Sequence, residues 1–301
     1  VEHVLSAIVV NYRSHRLVNG CLRALLGGSV VPDEIVVVDN EAHDGGLDAE
    51  LAADPRVRLS TRAANPGYAA SCNAGAALAG GDTLLFLNAD VTVAPDTLAR
   101  CRAELEAGPD VAVVTPRLMR PDGSLDHACH RGLPTAGASL AYKLRLHRLF
   151  PHSRRLARYT MGWLDPSTDH DVEACSGAFM LLRRADLEAA GGWDERYRFY
   201  AEDLDLCLRL TQRGGRVRYL GTVSADHIKG AFSHYATPDA QLDPDARATK
   251  RRVQREVVDA HRLFFEEHLR ASTRLPTRVA LTTMFAMQSA RLRAADRLAR
   301  T

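Results

Sequence analysis

The sequence predicts an α/β protein with a mostly parallel central sheet flanked by helices. Two observations carry this. Short, continuous apolar runs (LSAIVVN at 5–11, EIVVVD at 34–39, TLLFL at 83–87) have no alternating polar face, as strands buried on both sides require. Helix-length segments closed by glycine pairs separate them, which is the βαβ pattern of a parallel sheet.

The elements follow in order. Strand 5–11 leads into a helix over 17–26, stopped by Gly27 and Gly28. Strand 34–39 precedes a Gly- and Asp-rich turn, a short helix over 48–53 and a strand at 57–60. A small-residue helix over 69–79 ends at Gly80 and Gly81, and strand 83–87 follows. Pro95 opens a helix running to Ala107, because proline is tolerated in a first turn. A strand at 111–115 comes next. Regular structure then pauses until 172–183, and is expected again as a helix over 202–213 and strands at 217–220 and 223–226. Two apolar-periodic helical stretches, 253–269 and 278–298, close the chain on either side of Pro276.

Composition removes several classes of function. The 301 residues hold 46% hydrophobic and 25% charged residues, an ordinary globular mix with room for one large domain or one domain and a small appendage. Lys+Arg 39 against Asp+Glu 37 leaves +2, which is no polycation for nucleic acid. Six dispersed cysteines form no CxxC pair and no zinc spacing, so free thiols in a reducing compartment are expected. Val1 to Asn11 lacks the basic leader and small-residue cleavage site of a secretory signal, and no run reaches a spanning length. A cytoplasmic protein is expected.

In an open parallel sheet, ligands bind beyond the carboxyl ends of the strands. That edge collects Asn11-Tyr12, Asp39-Asn40 and Asn88-Ala89-Asp90. Asn and Asp also start turns well, which suffices for Asn11 alone. Asp39 and Asp90, each behind a long apolar run, point to a shared binding edge. GxxxxGK[ST], GxGxxG after the first strand and G-x-S-x-G are all absent. A bound diphosphate then needs another counter-charge, and a strand-end carboxylate holding Mg²⁺ or Mn²⁺ supplies one.

Taken together, VVNY at 9–12, VVVDN at 36–40, NPGYAASCNAG at 65–75, LNADV at 87–91, SGAFMLLRR at 176–184, GGWDERYRFYAEDLDLCLR at 191–209 and DHIKGAFS at 226–233 resemble a family-2 glycosyltransferase of the Rossmann-like GT-A fold, closest to its rhamnosyltransferase-like branch. The resemblance implies an inverting transfer from a nucleotide-diphosphate sugar, dTDP-rhamnose or a similar deoxysugar first and UDP-sugars next, to a glycan, lipid-linked or small-molecule acceptor. It implies that Asp39 hydrogen-bonds the base, that Tyr12 packs on it, and that Asn65, Gly67 and Asn73 shape the nucleoside wall beside Asn11. Asn88-Ala89-Asp90 takes the place of the family's DxD motif, with Asp90 as metal carboxylate and Asn88 as a neutral replacement that weakens metal affinity. His227 is the implied second metal ligand, although a lone histidine is more often structural.

For the chemistry, the resemblance implies Asp203 as general base with Glu202 as nearest rival, and Ser176, Gly177, Trp193 and Asp194 around the donor and acceptor, while the spacing has Asp205 cap the helix or pair with Arg209 four residues on. Carboxylates opening a helix also serve as ordinary dipole compensation. A domain over 1–235 and a helical extension over 236–301 are expected. Residues 127–164 contain no Asp or Glu but seven Lys/Arg, and form either a solvated flap or a surface for an anionic acceptor or membrane leaflet. The last helix suits peripheral membrane contact at the inner face, packing on the main domain, or a homodimer. The competing readings are a nucleotidyltransferase, whose Gly- and Arg-rich loop NYRSHRLVNG does not supply, and a non-catalytic nucleotide-sugar-binding protein.

Overall fold

The computed structural model describes residues 3–41, 46–229 and 241–298. Among them, nine strands form one sheet in the order β3-β2-β1-β4-β8-β6-β9-β5, with β7 on the free half of β9. The parallel block is β1 (Leu5–Tyr12), β2 (Glu34–Asn40), β3 (Val57–Arg62) and β4 (Thr83–Asn88). Ala7 to Val9, Val36 to Val38 and Leu84 to Leu87 are fully buried, which is why these runs carry no polar alternation.

The helices cover the faces of this block. α1 (His15–Leu26) buries His15, Val18, Cys21, Leu22 and Leu25 on one stripe and stops at Gly27. A single short turn, α2 (Ala49–Ala52), leads into β3. α3 (Tyr68–Leu78) is made of small residues because it lies unusually close to the sheet. A Cβ on Gly75 would come within 2.3 Å of Ile8 Cγ2 and 3.1 Å of Val38 Cγ2.

The second half differs from the expected pattern. β5 (Val91–Val93) follows β4 at once, and α4 (Thr97–Ala107) precedes β6 (Val111–Met119), four residues longer than its apolar run suggested. Where regular structure was expected to resume, over 172–183, there are two strands, β7 (His170–Val172) and β8 (Phe179–Arg183), separated by an irregular loop. β8 runs antiparallel to both β4 and β6, so the sheet is mixed rather than wholly parallel. A helix that was not expected, α7 (Arg184–Ala189), follows β8 directly. The two strands expected near 217–226 are one, β9 (Arg216–His227), whose register against β6 jumps between Pro116↔Leu220 and Arg117↔Ser224. Gly221 sits in that irregularity, where a Cβ would lie 2.5 Å from the Thr168 carbonyl oxygen.

The acid-free stretch holds α5 (Ala136–Lys143), α6 (Leu146–Leu149) and short 3-10 turns. α8 (Glu202–Gln212) carries the expected acidic turn. The C-terminal part is α9 (Pro244–Phe264), a π-helical turn over Phe265–Leu269 and α10 (Leu275–Leu298), which includes Pro276 in its first turn. α9 buries Val253, Ala260 and Phe264, and Phe285 of α10 packs 6.1 Å from Phe265. The expected boundary at 235/236 and the Gly230–Ser233 part of the last motif lie outside the described residues. No described helix is long and apolar enough to cross a membrane.

Candidate active site

Three clusters gather along the carboxyl edge of the sheet. The first joins the ends of β1 and β2 to the start of α1. Asn11 Nδ2 donates to Asp39 Oδ1 at 2.8 Å, and His15 Nε2 lies 2.9 Å from Asp39 Oδ2. All three are buried, leaving Asn11 Oδ1 and His15 Nδ1 without hydrogen-bond partners. His15 was not anticipated. Its signal was its place as the first helical residue after a strand end. The Arg13 guanidinium lies 5.2 Å from the centroid of the Tyr12 ring, and Arg252 of α9 donates to the Tyr12 hydroxyl at 3.4 Å. Arg13, His15, Arg16 and Asn19 help line an adjoining cavity of about 410 Å³.

The second cluster lies where β4, β5 and β9 meet. The antiparallel register Val91↔His227 brings Asp90 and His227 together, with His227 Nε2 3.4 Å from Asp90 Oδ1. His227 Nδ1 lies 2.9 Å from Asp126 Oδ2, a carboxylate the sequence did not single out. Lys229 Nζ also donates to Asp126, which is fully buried. Burial alone would disfavour charge on both partners. The Asp126 and Asp90 carboxylates overcome this and push His227 up to about 9, while His227 and Lys229 hold Asp126 below the usual carboxylate range.

These residues fit a divalent cation. Asp90 Oδ1 is buried without a hydrogen-bond partner, and Asp126 fixes the imidazole so that Nε2 faces it, the arrangement second-shell carboxylates give metal-binding histidines. Among the described residues no group of three or more His, Cys, Asp or Glu is placed to hold a metal ion. Asp90 and His227, once its Nε2 has given up the proton, would be the two protein donors, and diphosphate oxygens and water would have to supply the rest.

The third cluster is at the start of α8. Tyr200 and Ala201 both take left-handed φ values, 70° and 68°, a costly pair for non-glycine residues that turns the chain sharply into the helix. Asp203 Oδ1 accepts the Leu204 N–H at 2.8 Å, and Oδ2 accepts the Gly177 N–H at 3.2 Å. Arg131 Nη2 lies 2.8 Å from the same Oδ2, with about nine-tenths of each side chain out of solvent. Arg131, from the acid-free segment, is also held by the Cys175 carbonyl at 3.2 Å. Neighbouring Glu202 is buried and its Oε2 has no partner. Burial first, then the negative charge of Asp203, push its carboxyl up to about 8.

The Ser176–Ala178 loop ties β4 to this cluster. Asn88 N–H donates to the Ala178 carbonyl at 3.0 Å while Gly177 N–H reaches Asp203, and Ser176 Oγ accepts the Ala178 N–H at 3.2 Å. Beneath it, the Tyr68 hydroxyl donates to the Gly177 carbonyl at 2.6 Å, and a Cβ on Gly177 would meet that ring at 3.0 Å.

Several residues expected around the ligands are engaged elsewhere. The Asn73 side chain is taken up by the loop at 192–195. It donates to the Trp193 carbonyl and Glu195 at 2.9 Å and accepts the Trp193 N–H at 3.0 Å. Trp193 is only 2% exposed, edge-on to Tyr68 and Phe86, so it supports the loop from below rather than offering a face to a sugar. Asp194 is bound by Arg196 at 2.7 Å. Gly67, with φ 111°, provides the expected close approach, but to the Arg198 backbone, whose carbonyl oxygen a Cβ would meet at 2.6 Å. Asn65 Oδ1 accepts the Gly67 N–H at 3.0 Å and so shapes that turn. Asp205 pairs with Arg209 as expected, at 2.6 Å, and also with His268 Nε2 at 2.7 Å.

A mixed sheet with carboxylates at two strand ends and an acidic helix start defines a sugar-transferring enzyme of the GT-A type, and the chain belongs to glycosyl transferase family 2, whose family model matches residues 6–190. Within that family it is rhamnosyltransferase-like and of inverting type. It is 27% identical over 257 residues to N-acetylglucosaminyl-diphospho-decaprenol L-rhamnosyltransferase of Mycobacterium tuberculosis, covering 82% of each chain. It is also 43% identical over 60 residues to rhamnosyltransferase WbbL of Escherichia coli, which spans 20% of this chain and 23% of that one. The fold is shared with the mannosyltransferase PcManGT of Pyrobaculum calidifontis in complex with GDP-Man and Mn²⁺, at TM-score 0.55 and 19% identity, over 100% of this chain and 81% of that one. It is shared too with S. aureus TarS 1-349 in complex with UDP-GlcNAc, at TM-score 0.54 and 16% identity, over 97% and 83%.

Proposed function

We propose that this chain transfers a deoxysugar, with L-rhamnose from dTDP-rhamnose as the leading donor and UDP-sugars next, to a hydroxyl of a lipid-linked glycan, with inversion at the anomeric carbon. The observation that carries the reading is the Asp203 carboxylate, held beside the Ser176–Ala178 loop by Gly177 N–H and Arg131. In the proposed step the acceptor oxygen attacks the anomeric carbon from the face opposite the diphosphate. Its proton passes to an Asp203 oxygen, the bond from carbon to the diphosphate oxygen breaks, and the electron pair leaves on that oxygen.

Asp90 and His227 are the residues that would hold Mg²⁺ or Mn²⁺, which when bound screens the negative diphosphate. Asp39, Asn11 and His15 form the base-reading corner, where the unpartnered Asn11 Oδ1 faces no competing donor. The named acceptor of the mycobacterial relative and the cationic 127–164 segment together support a lipid-linked diphosphate acceptor, met at the cytoplasmic face of the membrane. Residues 1–235 are read as the transferase domain and 236–301 as its extension.

Glu202 is the alternative base, favoured by its buried, unpartnered Oε2. Two variants separate the readings. Asp203→Asn should bind donor, measured calorimetrically, yet lose turnover by about 10²–10⁴-fold, while Glu202→Gln keeps most of it. The reverse order assigns the proton transfer to Glu202, and normal turnover in both ends the proposal.

A further inference from the structure

The acid-free excursion presents its side chains in the opposite sense to an ordinary surface helix. In α5 the small residues Ala138 and Ala141 face the domain, at 2% and 4% exposure, while Leu140 and, just past the helix, Leu144 stand outward at 59% and 60%. Past the left-handed turn at Arg145 (φ 56°), Leu149 is 73% exposed and Phe150 52%. Large side chains left in water over so short a stretch mark a contact surface rather than scattered exposure.

The charges around this patch decide its partner. Arg145, Arg148, Arg154 and Arg155 are exposed, and among the described residues none of them pairs with a carboxylate. No Asp or Glu occurs from His127 to Leu164. A protein partner could match the apolar part by many means. An unbroken cationic field interleaved with exposed leucines and a phenylalanine matches an anionic bilayer, where aliphatic side chains enter the headgroup boundary and arginines stay with the phosphates.

The patch is also coupled to the reacting end of the molecule. Tyr142 of α5 packs against Tyr159 with ring centroids 4.9 Å apart, Arg131 Nη1 donates to the Tyr159 hydroxyl at 3.5 Å, and Arg131 pairs with Asp203. We infer that the α5–α6 segment is a membrane-docking surface that seats the chain on an anionic leaflet, with Leu140, Leu144, Leu149 and Phe150 entering the interface and Arg145 and Arg148 meeting lipid phosphates. This rests on the reading of the acceptor as lipid-linked, because docking brings Asp203 to the plane in which such an acceptor lies.

The test uses the full chain, sedimented with phosphatidylcholine vesicles prepared with and without phosphatidylglycerol. The wild-type chain should bind the phosphatidylglycerol vesicles, bind pure phosphatidylcholine far less, and be released by raised NaCl. The doubly substituted chain Arg145→Gln/Arg148→Gln should partition about 30-fold less, at about 1 kcal/mol per cation. Leu149→Glu/Phe150→Glu should lose at least about tenfold. All four positions are exposed, so melting temperatures should stay at wild type. Failure of the wild-type chain to bind, or undiminished binding by both variants, overturns the inference. So does a change in sedimentation velocity of the free chain, which would make the patch a contact between copies. Transfer to a short-chain, water-soluble prenyl-diphosphate sugar should be the same in the Leu149→Glu/Phe150→Glu chain as in wild type, since neither side chain belongs to the cationic set read as meeting the diphosphate. Vesicle binding with no transfer to any acceptor would remove the proposed activity and leave the docking surface standing.

Discussion

Arg131 Nη2 lies 2.8 Å from Asp203 Oδ2, joining the longest stretch of the chain without an acidic residue to the most acidic helix start among the described residues. The guanidinium and the carboxylate form a charge-assisted pair largely out of solvent, and the Cys175 carbonyl holds that guanidinium in turn.

Arg131→Ala leaves the Asp203 charge facing only two backbone N–H groups. The expected cost is about 3–5 kcal/mol of stability, read by urea unfolding, with kcat falling and the donor Kd unchanged. Arg131→Lys restores the charge but not the planar fork, so it should recover part of kcat. A loss confined to donor binding would contradict this arrangement.

Asp126 touches no expected ligand, yet it orients His227 through Nδ1. Asp126→Asn should weaken Mn²⁺ binding by about 10–100-fold, measured by calorimetry in the presence of nucleoside diphosphate. Asp90→Asn should weaken it at least as much, and unchanged affinity in both would place the cation elsewhere.

His130 Nε2 lies 2.8 Å from His170 Nε2, and burial, then the neighbouring imidazole, lowers His130 to about 4. Because its folded pKa lies below the ordinary value near 6.5, the unfolded chain takes up protons first as pH falls. The stability is fully present above about 6.5 and is lost as pH falls towards about 4. In His130→Gln the melting temperature should fall less steeply across that window than in wild type, whatever its starting value. Parallel curves would count against a titrating pair.

Gly75 lets α3 lie against β1 and β2, and a Cβ there meets Ile8 Cγ2 at 2.3 Å. Gly75→Ala improves helix propensity but forces the helix outward, so a net loss of about 1–3 kcal/mol is expected. In the double variant Gly75→Ala/Ile8→Ala the Cγ2 that the new Cβ would meet is gone, so its loss in urea unfolding should be smaller than the sum of the two single losses.

The parallel half of the sheet was readable because strands buried on both faces leave continuous apolar runs, as at Val36 to Val38. Strand direction leaves no such mark, so the antiparallel placement of β8 was not legible, and three-residue strands such as β5 are too short to show a period. Asp39 and Asp90 were visible as polar residues closing apolar runs. Asp126 and Arg131 were not, because each acquires its meaning only from a partner far along the chain, His227 for one and Asp203 for the other. The contacts of Asn73 and Trp193 were not legible for a related reason. The amide suits a nucleoside wall and the indole a sugar, but in this structure each holds the loop at 192–195.

His268, just past α9, completes the coordination of Asp205, a buried carboxylate two residues beyond Asp203 in the same helical turn. The ribosome therefore finishes this turn late. A nascent chain that has emerged only as far as residue 235 has every strand of the sheet but lacks the imidazole that satisfies Asp205 Oδ1. A fragment cut there leaves Asp205 Oδ1 without its His268 partner, so the tail contributes to the acidic turn as well as to the surface.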